Sequence, residues 1–231
     1  MGIIANAAVI IIGGIIGSVL KARSARSSTA GIFGICVMLI SLVGVIENLF
    51  SVSGGALVSR HLYEVVIILA IGAYIGERLS LDTRLSALSS SDKPYLNGFI
   101  DASVFFGVGG LQISGPILLA ISGDSSQLFL KSAIDLPFAI MFSSVYGVGV
   151  ILSALPVAAI QVLIAVLAGS LAKYVSPDMV SQLSAMGYVI LFFSGFNMIC
   201  DGKHKIKNTN MVPAILLVII YNVIVGLMGA S

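Results

Sequence analysis

The sequence predicts an all-α protein: a polytopic transmembrane helical bundle of about eight segments. Three observations predict it. Of 231 residues, 58% are hydrophobic and only 10% are charged. A soluble domain carries about 25% charged residues, so this chain has too few to wet its whole exterior. Apolar runs of about 20 residues recur along it, the length that crosses a hydrocarbon core of ~30 Å. Lysine and arginine also concentrate in alternate loops between those runs. Strand-like alternation is absent, which argues against a membrane barrel.

The first run, 3–21, is followed by Lys21, Arg23 and Arg26. A secretory signal carries its basic residues before the apolar run, so this segment is expected to stay as a helix. The second run is 29–50 and the third 62–79. The fourth, 97–121, contains Gly107, Gly109 and Gly110, then Ser114-Gly115-Pro116. Such clusters break a helix or form a re-entrant turn. The fifth is 127–152, the sixth 155–174, the seventh 180–200 and the eighth 211–229. Two cysteines, Cys36 and Cys200, lie in or beside apolar runs and read as packing residues. The whole chain, 1–231, reads as one membrane domain.

Nine of the 12 basic residues fall in the first, third and seventh loops, and the fifth loop has none. Arg60, Lys131 and Lys173 remain for the opposite side. By the positive-inside rule the odd loops face the cytoplasm and both termini face outward. The expected location is the bacterial cytoplasmic (inner) membrane.

An internal repeat is also legible. At an offset of 152 residues Ala7 matches Ala159, Ile12 matches Ile164, and Gly17-Ser18 matches Gly169-Ser170. One residue further on, Gly34 matches Gly187, Ser41 matches Ser194 and Ile46 matches Ile199. Segments 1–3 would then correspond to segments 6–8. Five crossings separate the copies, so they would be inverted in the membrane. The expected layout is a first repeat region at 1–95, broken polar segments at 96–153 and a second repeat region at 154–231. Inverted repeats characterise transporters, with the site near the midplane at the repeat interface.

Several residues could carry that site. Asp135 is an ionisable group inside the fifth segment, a functional candidate by default. Pro137 cannot donate to the carbonyl of Ala133. The carboxylate and that freed carbonyl could together hold Na⁺, or Asp135 could serve H⁺ coupling. The alternative is a structural ion pair of Asp135 with Lys131 at i, i+4. Asp101, near the start of the fourth segment, is either a second site carboxylate or a helix-start charge. Gln112 with Ser114, Gly115 and Pro116 could form a half-helix tip that presents N–H groups to an anionic substrate. Asn6, Gln161 and Asn197 are intramembrane amides, either ligands or interhelical glue. Gly13-x-x-x-Gly17 and Gly72-x-x-x-Gly76 let helices approach closely, within the bundle or between copies.

The stretches NGFIDASVFFGVGGLQISG and SGDSSQLFLKSAIDLPFAIMFSSVYGVGVILSALPV carry a resemblance. So do Asn6 before IIIGG, Gly76-Glu77, Phe99 to Ser103, Gly123-Asp124, Lys131 to Asp135, Ser184 to Gly187, Asn197, and Asn208 to Ala214. Together they resemble the bacterial membrane family called domain of unknown function 554, across nearly the whole chain. Asp101 departs from the family's expected Thr, and Leu136-Pro137 from its usual small residues. The resemblance implies a membrane fold and transport, and names no substrate.

The function expected is a small secondary transporter or facilitator for a polar solute, an organic anion or amino acid, or an ion, coupled to Na⁺ or H⁺ at Asp135. An ion channel and a non-transporting scaffold are the alternatives. HExxH, GxSxG, a Walker loop and GxGxxG are absent from the sequence, so no enzyme is expected. An aspartyl-protease pair of Asp101 and Asp135 is disfavoured. No cofactor is expected. The expected partners are the lipid bilayer, the solute or ion, and further copies of the chain, but not nucleic acid.

Overall fold

Helices make up most of the described chain, as its apolar periodicity requires. The computed structural model describes residues 1–20, 28–89, 94–107, 110–170, 175–200 and 205–229. α1 (Gly2–Leu20) and α2 (Ser28–Leu49) lead into a hairpin, β1 (Phe50–Ser53) and β2 (Ala56–Ser59). α3 (Leu62–Arg78), α4 (Leu81–Ser89), α5 (Pro94–Gly107) and α6 (Gly110–Ser122) follow. Then come α7 (Ser126–Tyr146), α8 (Gly149–Leu152), α9 (Ala154–Ser170) and α10 (Pro177–Ile199). A 3-10 turn (Asn208–Met211) leads into α11 (Pro213–Gly229). The first-loop basic residues Lys21, Arg23 and Arg26, together with Lys93, Lys173, Lys203 and Gly109, lie outside the described residues.

Among the described residues, five stretches are long and apolar enough to cross a membrane: α1, α7, Gly149–Ser170, α10 and Asn208–Gly226. α5 and α6 meet at a bend of 56° and make a sixth if they form one crossing. The second predicted segment is occupied by the 22-residue α2, apolar over Gly34–Leu49, and the third by the 17-residue α3.

Three boundaries differ from the sequence reading. The fifth segment stops at Tyr146 because Gly147 takes φ 75, ψ −152, a conformation open to glycine. The next four-residue helix joins the sixth segment instead. Ser114-Gly115-Pro116 does not break the fourth segment but lies inside α6. The bend falls earlier, where α5, which runs to Gly107, gives way to α6 from Gly110. At Gly115 an added Cβ would stand 2.9 Å from Leu128 Cδ2, so this glycine seats α7 rather than opening the helix. The link between the second and third segments is a hairpin. Its Gly54 and Gly55 have φ 59 and 80, the pair of positive values a two-residue hairpin turn needs.

Glycines set the packing. Gly13 faces Ala139 and Gly17 faces Ser143, so α1 and α7 run the same way. Gly34 meets Gly195 and Gly44 meets the Tyr188 ring, so α2 and α10 run oppositely. Gly72 meets Ala214 and Gly76 meets Asn210, so α3 and α11 also oppose. Gln112 bonds to Val157 while Ala120 faces Gly169, so α6 and α9 run together. These are the relations that eight alternating segments would have. Both GxxxG faces are consumed inside the chain, which leaves neither free as a seam between copies.

The surface is inverted relative to a soluble protein. Large aliphatics such as Ile4, Val19, Leu155 and Leu216 are exposed, while Asn6, Gln112, Gln161 and Gln182 are buried. One apolar core joins Val65, Ile68, Ile113, Leu183 and Val218, and another joins Ile10, Phe106, Phe138, Ala139 and Val157. Cys36 is exposed on α2 and not packed in the interior, and Cys200 is half-buried.

The α1–α7 seam is testable. A side chain at Gly17 would collide with the Ile140 carbonyl, whereas Gly31 has open space around it. Gly17→Val should lower stability in detergent by about 1–3 kcal/mol, and Gly31→Ala should leave the melting midpoint near wild type. Equal midpoints for the two variants would refute the seam.

Candidate functional site

Asp135 and Lys131 are four residues apart on α7 and share a face. Both point inward and are only 4% and 6% exposed. Asp135 sits near the middle of this 21-residue helix, roughly 14 Å from its start at 1.5 Å per residue. Lys131 Nζ donates to Asp135 Oδ2 at 2.8 Å and to the Phe106 carbonyl at 3.1 Å. The ion pair expected from the spacing therefore exists. It lies deep in the bundle, where removing two charges from water is costly unless neighbours supply hydrogen bonds.

Those neighbours come from three other helices. Asn6 Nδ2 on α1 donates to Asp135 Oδ2 at 2.7 Å. It reaches because Gly13 and Gly17 bring α1 against α7. Gln161 Nε2 on α9 donates to Asn6 Oδ1 at 2.9 Å and to Gln112 Oε1 at 2.8 Å. Gln112 Nε2 on α6 ends the chain on the Val157 carbonyl at 3.1 Å. All three amides are fully buried. Beside this network lies a cavity of about 30 Å³. Val37, Phe105, Gln112, Lys131, Asp135 and Tyr188 are among its lining residues. One water-sized occupant needs roughly 10–15 Å³ on this measure, so the cavity has room for a small ion or a water or two.

The structure thus brings Asp135, Asn6, Gln161 and Gln112 into one cluster. Other candidates lie elsewhere. Ala133 is exposed on α7, and two residues along a helix is a turn of about 200°. The Ala133 side chain thus points away from the cluster that Asp135 enters. Pro137 is carried within a continuous α7. Ser114 is buried and its hydroxyl donates to the Gln127 side chain. With Gly115 and Pro116 mid-helix, the expected half-helix tip is not there. Gly107 and Gly110 flank the bend between α5 and α6. Asp101 is half-buried on α5. Asn197 donates to the Ile206 carbonyl and accepts from the Ile206 N–H, both at 2.7 Å. Its amide clamps the segment before the 3-10 turn.

A second polar node ties α3 to the end of the chain. Glu77 accepts from Asn210 Nδ2 and from Lys207 Nζ at 3.2 Å, and Asn210 Oδ1 accepts from the Asp82 N–H at 2.8 Å. Ahead of α7, the Asp124 carboxylate accepts from the backbone and hydroxyl of Ser126, which hold its pKa below the usual aspartate value.

Sequence reasoning undervalued Lys131, which it took only as a structural counter-charge. It missed the carbonyls of Phe106 and Val157 and the Tyr188 ring. The signal for Lys131 was present: a lysine inside an apolar run, one turn from an aspartate. The carbonyls had none, because every residue has one.

A helical, lipid-exposed bundle with a charged, amide-braced interior defines a polytopic membrane protein. The chain belongs to the family described as "Protein of unknown function (DUF554)", whose model matches residues 1–223. It is 25% identical over 222 residues to the "Uncharacterized membrane protein YdfK" of Bacillus subtilis (strain 168), covering 94% of this chain and 93% of that one. It is 27% identical over 228 residues to the "Uncharacterized protein YqgA" of Escherichia coli (strain K12), covering 92% of each. No solved structure gives a significant match.

Removing one partner of a buried pair strands the other charge. Lys131→Met and Asp135→Asn should each cost about 3–5 kcal/mol, and the double variant should recover part of that loss. Unfolding midpoints in detergent measure this. Strict additivity would mean the two groups are not coupled.

Proposed function

We propose that the protein is a small secondary transporter or facilitator for a polar solute or ion, in the cytoplasmic membrane with both termini outside. The observation that carries this reading is the buried Lys131–Asp135 pair, halfway along a spanning helix and beside a cavity. Ionisable groups at that depth mark ion or substrate paths.

Two further features support it. α5 and α6 form a discontinuous segment, and Phe106 near the end of α5 and Gln112 near the start of α6 both feed the cluster. Transporters build their sites from such broken helices. The packing also pairs α2 with α10 and α3 with α11, and α1 touches α9 although it packs mainly on α7; an inverted repeat would match these same helices. The Gly34–Gly195 and Gly44–Tyr188 contacts make α2 and α10 antiparallel, as inverted copies must be. An organic-anion or amino-acid substrate rested mainly on a helix tip at Ser114 to Pro116. With those residues inside α6, the weight shifts toward an ion. Copies of the chain would associate through faces other than the two GxxxG stripes.

The test is flux. Proteoliposomes holding the wild-type chain should show saturable uptake and counterflow of at least one member of a panel of amino acids, organic anions and monovalent cations. Asp135→Asn, reconstituted at equal density, should lose that flux at least tenfold. Undiminished flux through the variant would refute the assignment, and unsaturable conductance steps would point to a channel instead.

A further inference from the structure

The Lys131 ammonium stands where a free cation would bind. Its nitrogen is held by a carboxylate oxygen at 2.8 Å and a carbonyl oxygen at 3.1 Å. That carbonyl belongs to Phe106, the second-last residue of α5. It lies beside the bend where α5 meets α6, and its oxygen accepts from the buried ammonium. One carboxylate and one backbone carbonyl, meeting at a buried ammonium, are hard oxygen ligands of the kind that hold small cations.

The amide chain is an independent observation. The Val157 carbonyl can only accept, so Gln112 must turn its NH₂ there and its oxygen toward Gln161. The Asp135 carboxylate accepts, so Asn6 must give its NH₂ there and also turn its oxygen toward Gln161. Gln161 thus meets two oxygens with its single NH₂. Its own Oε1 is left, fully buried, with no donor among the described residues. Both ends of the chain dictate this orientation, so flipping an amide cannot repair it. The network is one donor short. It is built to receive a cation or a donor, not an anion.

We propose that Lys131 is a tethered occupant of a small monovalent-cation site, and that a free cation entering by the cavity competes with its ammonium for the oxygens of Asp135 and Phe106. One carboxylate offsets one positive charge. Two cations on it would leave a net charge in a low-dielectric interior, which is heavily penalised. Occupancy is therefore exclusive: the ion binds as the ammonium moves off on its flexible four-carbon stem. A plain structural ion pair would need neither an adjoining cavity nor a donor-deficient amide chain. This deepens the transport reading by naming the ligand class of the same site, yet its test reads binding and needs no flux.

The full chain, purified in detergent, would be titrated with sodium, potassium and ammonium chloride at constant ionic strength, with choline chloride as the balancing salt. Binding would be read by radioactive-sodium retention and by melting midpoint. Wild type should bind weakly, because the tethered ammonium taxes the apparent affinity. Lys131→Met should bind at least about tenfold more tightly, Asp135→Asn should not bind, and Gln161→Leu should bind severalfold more weakly than wild type. If Lys131→Met is unstable in choline, one of the three cations should raise its midpoint in a saturable way. A Lys131→Met variant that binds no better than wild type, or is equally unstable in all four salts, overturns the proposal. So does Gln161→Leu, which keeps the ion pair, if its affinity is unchanged. The expected binding pattern without any flux would sink the transport reading alone. Saturable flux with cation binding indifferent to Lys131 would sink this proposal alone.

Discussion

A carboxylate in the middle of a lipid-embedded bundle cannot rely on water, and much of this structure answers that constraint. Asp135 takes the Lys131 ammonium from its own helix and the Asn6 amide from α1. Lys131 in turn needs a second acceptor, which the end of α5 provides at Phe106. The bend between α5 and α6 thus lies beside the charge, and the Gln112–Gln161–Asn6 chain carries polarity on to α9.

Close approach makes this possible. An amide as short as Asn6 reaches across to α7 only if the backbones nearly touch. Gly13 and Gly17 remove the side chains that would keep them apart, and an added Cβ at Gly13 would stand 2.7 Å from Ala139. In lipid there is no hydrophobic drive to press helices together, so small residues and interhelical hydrogen bonds must do it. Gly34 against Gly195 and Gly72 against Ala214 repeat the device on the other side of the bundle. The exterior can then be Ile, Leu and Val, because specificity has moved inside.

The Glu77–Asn210 node and the Asn197–Ile206 clamp serve a different end. They secure chain segments at helix ends, where backbone groups would otherwise lack partners. The hairpin at 50–59 closes the α2–α3 link with its own ladder. With these connections tied down, the central cluster holds buried polar groups beside open volume.

By itself the sequence determined the fold class, the lipid-facing exterior and the positions of most segments, because hydropathy and helix length are local, additive properties. It also singled out Asp135, Asn6, Gln161 and Gln112, since a polar group inside an apolar run stands out wherever it points. Only the tertiary structure decided that these four meet, that Asn197 and Ser114 turn to other tasks, and that Ala133 faces away. It also placed the helix break before Gly110 rather than at Pro116. Those outcomes depend on which helices touch and on φ at single glycines such as Gly147, neither of which composition records. The orphaned oxygen of Gln161 is the clearest case. Its lack of a donor among the described residues follows from hydrogen bonds spanning residues 6 to 161, a count that can be made only once the chain has folded.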